Sequence, residues 1–224
     1  MRREEARLAI VGDIHGNIER LDYALEFLIS SGRKLVFVGD YIDRGPDSSE
    51  VMQRLVDLAN DPSCQATFLR GNHEAALLQW LDDGDMSAFV RHGGLTTIKS
   101  YSYDLRAGVV TDFPKQFPQS HRNFLSQTQT YLQTRELFIS HAGFNPNNPA
   151  EREDRALVFG ENGSPFDFVD CIPPRPLTIF GHFVQGNLLP RETDHLVCLD
   201  TGCGTLPDGR LTVLLTPERQ YLQF

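Results

Sequence analysis

Three glycine-opened runs, each directly behind a short apolar stretch, constrain this chain more than any other feature: Gly12-Asp13-Ile14-His15-Gly16, Gly39-Asp40-Tyr41-Ile42-Asp43-Arg44-Gly45 and Gly71-Asn72-His73-Glu74. The apolar runs 8–11, 35–38 and 67–69 read as strands. A strand ending in Gly-Asp delivers its carboxylate to the carboxyl edge of a sheet, where open α/β folds bind ligands. Glycine lets the backbone turn sharply there. Histidines stand at two further strand ends, in His141-Ala142-Gly143 after the run 137–139 and in Gly181-His182 after 177–180. The candidate ligands are therefore Asp13, His15, Asp40, Asn72, His141 and His182. This mixture of oxygen and imidazole suits Mn, Fe or Zn rather than an all-oxygen calcium site. Six protein ligands are too many for one catalytic metal that keeps open positions, but they fit two divalent metals sharing a bridging carboxylate, which we assign to Asp40.

In this order, GDIHG, GDYIDRG, RGNHE, HAG and GH resemble the phosphoprotein phosphatase family of calcineurin-like metallophosphoesterases, and of its bacterial and phage serine/threonine phosphatases in particular. The match spans residues 12–182. The resemblance implies that Asp13, His15 and Asp40 hold a first metal, and that Asp40, Asn72, His141 and His182 hold a second, with Mn2+ the expected ion and Fe or Zn the alternatives. Many relatives outside this branch carry Gly-His-x-His; here that last position is Val184, which leaves the first metal with three protein ligands and room for water.

Phosphate oxygens need cationic partners. Arg44, beside the second strand end, and Arg70, immediately before Gly71-Asn72, are placed to supply planar, bidentate donors. The departing oxygen needs a proton, and His73, next to Asn72 but outside the ligand set, is the expected donor, with Asp43 orienting it. The resemblance implies the same dyad as general acid. His92, His121 and His195 fall outside the motifs and are expected to be exposed or locally satisfied. Of these, His92 in Arg91-His92-Gly93-Gly94 is the one that would line the substrate edge. The resemblance also implies a phosphate-holding arginine after the His-Ala-Gly motif. The corresponding stretch, Ala156-Leu157-Val158-Phe159-Gly160-Glu161, contains none, and neither Arg152 nor Arg155 can be assigned to that role.

The remaining chain is read as one domain, residues 1–224, since no linker or composition break marks a second. Helices are expected over 18–30, then through the apolar positions Val51, Leu55, Val56 and Leu58, capped by Ser48 or Ser49 and closed by Pro62, and from Glu74 onward, so that a helix amino terminus points at the phosphate position. Residues 82–129 are helical but broken, and are expected to form a cap over the site. A hairpin follows at 131–140, then loop to 176, then strands at 177–180, 196–199, 211–215 and 220–223. Early βα units followed by late β structure imply an α/β fold of two packed mixed β-sheets flanked by helices, which is also the α/β/β/α sandwich of the family resembled.

The net charge of −9 argues against nucleic acid as a partner, because no Lys/Arg cluster is present. No apolar run is long enough to span a membrane, nor do the first residues read as a signal peptide, so a cytoplasmic location is expected. Cys64, Cys171, Cys198 and Cys203 show no paired spacing and read as reduced thiols, Cys203 at a turn near the site.

The reading these features favour is a metal-dependent phosphomonoesterase. It would act on phosphoserine and phosphothreonine proteins, with phosphotyrosine and small aryl phosphates as further substrates, by direct attack of a metal-bridging hydroxide. The alternative is a symmetrical dinucleoside tetraphosphate hydrolase, against which Glu74, where that group more often has Asp, and the chain length of 224 are counted. Adenine would then need a stacking surface, for which Trp80, Phe89, Tyr101 and Tyr103 are the candidates, although such residues more often pack a core. A second alternative is a non-catalytic scaffold of the same fold; the six ligand positions, all retained, argue against it.

Overall fold

The computed structural model describes residues 7–103, 105–171 and 176–224. The amino-terminal residues read above for a leader, and the Cys171 side chain, lie outside the described residues. From the amino terminus the chain alternates β1 (Leu8–Val11), α1 (Ile18–Ser30), β2 (Lys34–Phe37), α2 (Ser48–Asn60) and β3 (Ala66–Phe68). The three strands pair in parallel, Ala9 opposite Leu35 and Leu35 opposite Ala66. Their nearly continuous apolar sequences follow from burial on both faces.

Five helices come next: α3 (Asn72–Asp83), α4 (Ser87–Arg91), α5 (Leu95–Ser102), α6 (Ala107–Gln116) and α7 (Gln119–Ser126). The antiparallel pair β4 (Tyr131–Gln133) and β5 (Leu137–Ser140) then leads to α8 (Asp154–Leu157). A 3-10 segment, Pro165–Cys171, precedes β6 (Leu177–Phe180), β7 (Arg191–Glu192), β8 (Leu196–Cys198), β9 (Asp200–Thr201), β10 (Arg210–Leu215) and β11 (Gln220–Gln223). One sheet runs β11-β10-β1-β2-β3, with β9 on β10; the other runs β4-β5-β6-β8-β7. Both are mixed, as the sequence implies. The two-residue strands β7 and β9 carry too little periodicity to be read in advance.

Side-chain alternation sorts the core into layers. Ala9, Val11, Leu35, Phe37, Val213 and Leu215 face α1 and α2, while Ile10, Val36, Leu214, Ile139, Ile179 and Val197 fill the space between the sheets. Phe138, Phe180 and Leu196 pack outward on Phe144, Leu157 and Phe166. The molecule is thus helix, sheet, sheet and outer loops. All five motif-bearing strand ends open at one edge of this sandwich.

One local expectation needs revision. Asp47, rather than Ser48 or Ser49, occupies the N-cap position of α2, without a side-chain capping hydrogen bond. Ser48 lies inside the helix, buried, with its hydroxyl accepting the Asp43 amide at 3.0 Å, so its side chain serves the loop ahead of the helix instead of the helix end. The segment 82–129 packs its helices on α2 and α3, and its residues His92 and Thr97 border His73 and Asp43. Its aromatic residues explain this: Trp80 stacks on Phe89 and Phe113 with ring centroids 5.2 and 5.5 Å apart, and Tyr101 packs on Phe113 and Phe117. Trp80 and Phe89 are buried in that cluster and present no face to a base. Thr128, after α7, also reaches a strand end, where Arg70 donates to it.

Candidate metal centre

At the end of β1, Asp13 is buried, and its Oδ2 accepts the His182 amide at 3.0 Å. A Cβ on Gly181 would stand 1.9 Å from Asp13 Oδ1, so only glycine lets the β6 end close on this carboxylate. His15 Nδ1–H donates to the Ile42 carbonyl oxygen at 3.0 Å. That fixes the tautomer and leaves the Nε2 lone pair facing Asp40 Oδ2, 3.5 Å away. His141 is held in the same way, by Val38 O at 3.1 Å. Its Nε2 lies 3.0 Å from Asn72 Oδ1, 3.2 Å from His182 Nδ1 and 3.4 Å from Asp40 Oδ1. His182 Nδ1 is 2.9 Å from the same Asn72 oxygen. Asp40 thus stands beside His15 on one side and beside His141 on the other, where Asn72 and His182 also meet, while Asp13 is placed against the His182 amide.

The backbone is bent to achieve this. His15, Asp40, Asp43, Arg44 and His182 all have φ between 45° and 69°, a left-handed conformation that L-residues adopt at a cost of roughly 1–3 kcal/mol each. Such outliers cluster where a site overrides local preference.

The donor set fits divalent cations. Burial pushes His15 down to about 3, against the charge of Asp40, and pushes His182 to about 3 together with repulsion from His141. Both are neutral imidazoles, the form that ligates. Burial acts to raise Asp40, but the charges of His141 and His73 outweigh it and hold the carboxyl well below its ordinary range. Burial opposes protonation of His141, yet Asp40, Asp13 and Glu74 carry it up to about 9, so the carboxylates here draw positive charge strongly. Among the described residues, the buried side-chain polar atoms with no hydrogen-bond partner are Asp13 Oδ1, Asp200 Oδ2 and His92 Nδ1. Unsatisfied carboxylate oxygens in such a place call for an ion. By geometry alone, ligand atoms of Asp40, His141 and His182 lie within 4.8 Å of one another, as do those of His15, Asp40 and His73.

His73 borders the first group, its Nε2 3.6 Å from Asp40 Oδ2. Its Nδ1–H donates to Asp43 Oδ2 at 2.7 Å, and Thr97 donates to the other Asp43 oxygen. Burial lowers the His73 pKa, but Asp40 and the hydrogen bond to Asp43 outweigh it and the net shift is upward. Arg44 Nη2 lies 3.3 Å from His73 Nε2 and its Nη1 donates to Thr205 Oγ1 at 3.0 Å. The exposed guanidinium thus opens onto the same space as the imidazole. Arg70 is turned elsewhere, donating from Nε and Nη2 to Thr128 at 3.1 and 3.2 Å, where it ties the end of β3 to the end of α7. Arg152 lies over the Tyr131 and Phe138 rings and Arg155 pairs with Glu151 and Glu153, so neither stands in for the absent arginine. The His92 ring, at the carboxyl end of α4, lies 5.0 Å from that of His73. Cys203 is buried, its thiol pushed up to about 12 by burial, which makes it a poor nucleophile.

Two residues that the motifs leave unremarked matter here. Glu74 reads as the fourth letter of a motif, yet its buried carboxylate accepts the Asp40, Tyr41 and Gly71 amides at 2.8, 2.8 and 3.0 Å. It binds the β2 end to the start of α3. A Cβ on Gly71 would fall 2.7 Å from it and 2.1 Å from Asp40 Oδ1. Glu74→Gln places an NH2 among these donors and is expected to cost ~3 kcal/mol or more of stability in urea unfolding; a midpoint unchanged from wild type would refute this role. Asp200 is the other, on the two-residue strand β9; only its position after the apolar run 196–199, like that of the other strand-end residues, could have flagged it.

The family model described as calcineurin-like phosphoesterase matches residues 6–186. Among relatives, a protein of Oceanobacillus iheyensis named bis(5'-nucleosyl)-tetraphosphatase PrpE [asymmetrical] is 26% identical over 238 residues, covering 96% of this chain and 91% of its own length. Its namesake in Anoxybacillus flavithermus is 28% identical over 233 residues, covering 94% and 91%. A solved structure described as a putative diadenosine tetraphosphatase superposes with TM-score 0.69 at 22% identity over 100% of this chain and 95% of that one. The cold-active protein-tyrosine phosphatase of a psychrophilic Shewanella reaches 0.62 at 16% identity over 97% and 80%. At these identities the two structures speak to the fold alone.

Proposed function

The chain belongs to the calcineurin-like phosphoesterase family, and from that premise we propose that it is a metal-dependent hydrolase of dinucleoside tetraphosphates, releasing a nucleoside triphosphate and a nucleoside monophosphate. The observation that carries this reading is the nearly full-length match to relatives named as asymmetrical tetraphosphatases. It replaces the expectation of a phosphoserine/phosphothreonine monoesterase, which those relatives overturn. It also departs from the symmetrical cleavage that stood as the alternative. The motifs misled for a physical reason: they describe how phosphorus is attacked by water and are silent on what leaves. Glu74 does not discriminate, because it clamps backbone rather than meeting substrate. Nor does length, since this chain spans 91% of each relative.

In this reading Asp13, His15 and Asp40 hold one divalent cation and Asp40, Asn72, His141 and His182 the other, with manganese the ion we favour for the mixed oxygen and imidazole set. Bound there, the pair activates water and neutralises phosphate charge. Arg44, whose guanidinium also donates to Thr205, donates to non-bridging oxygens of the phosphate chain. His73, oriented by Asp43, gives its Nε2 proton to the departing phosphate oxygen as the anhydride P–O bond breaks and water oxygen joins phosphorus. The helix α3, starting at Asn72, adds the partial positive charge of its amino terminus on the same side.

The test is a product analysis. With diadenosine tetraphosphate and Mn2+, anion-exchange chromatography should resolve equimolar ATP and AMP and no ADP, with kcat/KM above that for phosphopeptides. ADP as sole product would overturn asymmetric cleavage, and turnover of phosphopeptides with an inert dinucleotide would overturn the substrate class.

A further inference from the structure

Asp200 lies in the neighbourhood of the first cation position without belonging to the ligand set assigned above. Residues 199–204 run along residues 12–15 too closely for a side chain at Gly12 or Gly204: a Cβ on Gly12 would meet the Leu199 carbonyl oxygen at 2.7 Å, and one on Gly204 the His15 carbonyl oxygen at 2.1 Å, while the Cys203 thiol donates to Ile14 O at 3.3 Å. Asp13 and Asp200 are therefore brought together from β1 and β9. Both are almost wholly buried, at 2% and 1% exposure. Asp200 Oδ1 accepts the Gly202 amide at 3.0 Å, whereas its Oδ2, like Asp13 Oδ1, has no hydrogen-bond partner among the described residues. Two neighbouring buried carboxylates, each with an unsatisfied oxygen, are costly unless a cation joins them. The assigned ligands supply that position with three side chains against four for the second.

We propose that Asp200 is a carboxylate of the first cation position, its Oδ2 standing with Asp13 to take up that ion's charge. This rests on the metal half of the reading above and is independent of its substrate, so a failure with dinucleotides leaves it intact. Asp200→Asn keeps an oxygen to accept the Gly202 amide and removes only the charge. Stripped of metal and titrated with Mn2+ alone by calorimetry, wild type should bind two ions. The variant should bind one as wild type does and the other about 10–100-fold more weakly. Without metal, the variant should melt no lower than metal-free wild type, because an unpaired buried charge is gone, and it should gain less Tm on adding Mn2+. Two ions bound with wild-type affinities would overturn the proposal, as would a metal-free variant that melts lower while its Mn2+-induced gain is undiminished, the mark of a purely structural carboxyl. Fewer than two ions on wild type would remove it together with the two-cation reading. If the asparagine variant does not fold, Asp200→Ser carries the same comparison.

Discussion

Asp40→Asn is expected to lower kcat/KM by on the order of 10^3-fold or more, about 4 kcal/mol of barrier, and to weaken both cations at once. Among the assigned ligands, Asp40 alone reaches into both groups, with Oδ2 3.5 Å from His15 Nε2 and Oδ1 3.4 Å from His141 Nε2. Asparagine matches its shape, and the Asp40 amide stays on Glu74, so the fold should persist and circular dichroism should show it. The measurement is a Mn2+ titration of stripped protein. Retention of either ion at wild-type affinity would mean that Asp40 is not shared, and the two-group geometry would have to be reinterpreted.

His73→Asn separates proton donation from metal binding. It should leave both ions in place and lower kcat on an alkyl phosphate by about 10^2- to 10^4-fold, the range for general acid catalysis. The loss on diadenosine tetraphosphate should be smaller, because a departing nucleoside triphosphate carries its charge more readily than an alkoxide and depends less on the Nε2 proton. Asp43→Asn should reproduce the pattern more mildly, since it disturbs the 2.7 Å bond that orients the imidazole without removing the imidazole itself. Loss of a cation in the His73 variant would reassign that ring to the ligand group it borders.

Much of this architecture can be read from the chain because short-range rules govern it. Strands β1, β5 and β6 and the parallel β1–β2–β3 set follow from apolar runs of four or so residues closed by glycine or by a ligand-type side chain, and the helices α1 and α2 from spaced apolar residues. What escaped depends on long-range contacts. Nothing local marks Glu74 as the acceptor of amides more than thirty residues away, or Asp200 as a neighbour of Asp13 across nearly the whole chain. The aromatic residues of α3 to α6 could equally have stacked on a base or on one another, and they chose one another because each finds rings at 5–6 Å. Arg70 shows the same limit, since Thr128, which holds it, is remote in sequence. Substrate escaped for a different reason, because attack on phosphorus requires the same residues whether an alkoxide or a phosphate departs.

The first group of proposed ligands comes from one sheet, but the second does not: Asp40 and Asn72 follow β2 and β3, whereas His141 and His182 follow β5 and β6 on the facing sheet. Asn72 Oδ1 stands 3.0 and 2.9 Å from the two imidazoles across that divide, and such constellations tolerate displacements of only about half an ångström. The apolar layer of Ile10, Val36, Ile139, Ile179 and Val197 is therefore the spacer of the proposed reaction centre as well as its support. Thermal adaptation of such an enzyme is confined by this arrangement. A methylene gained or lost in that layer slides one half of the active site against the other, so lineages moving to hot or cold habitats would adjust helices and outer loops while leaving the middle of the sandwich alone.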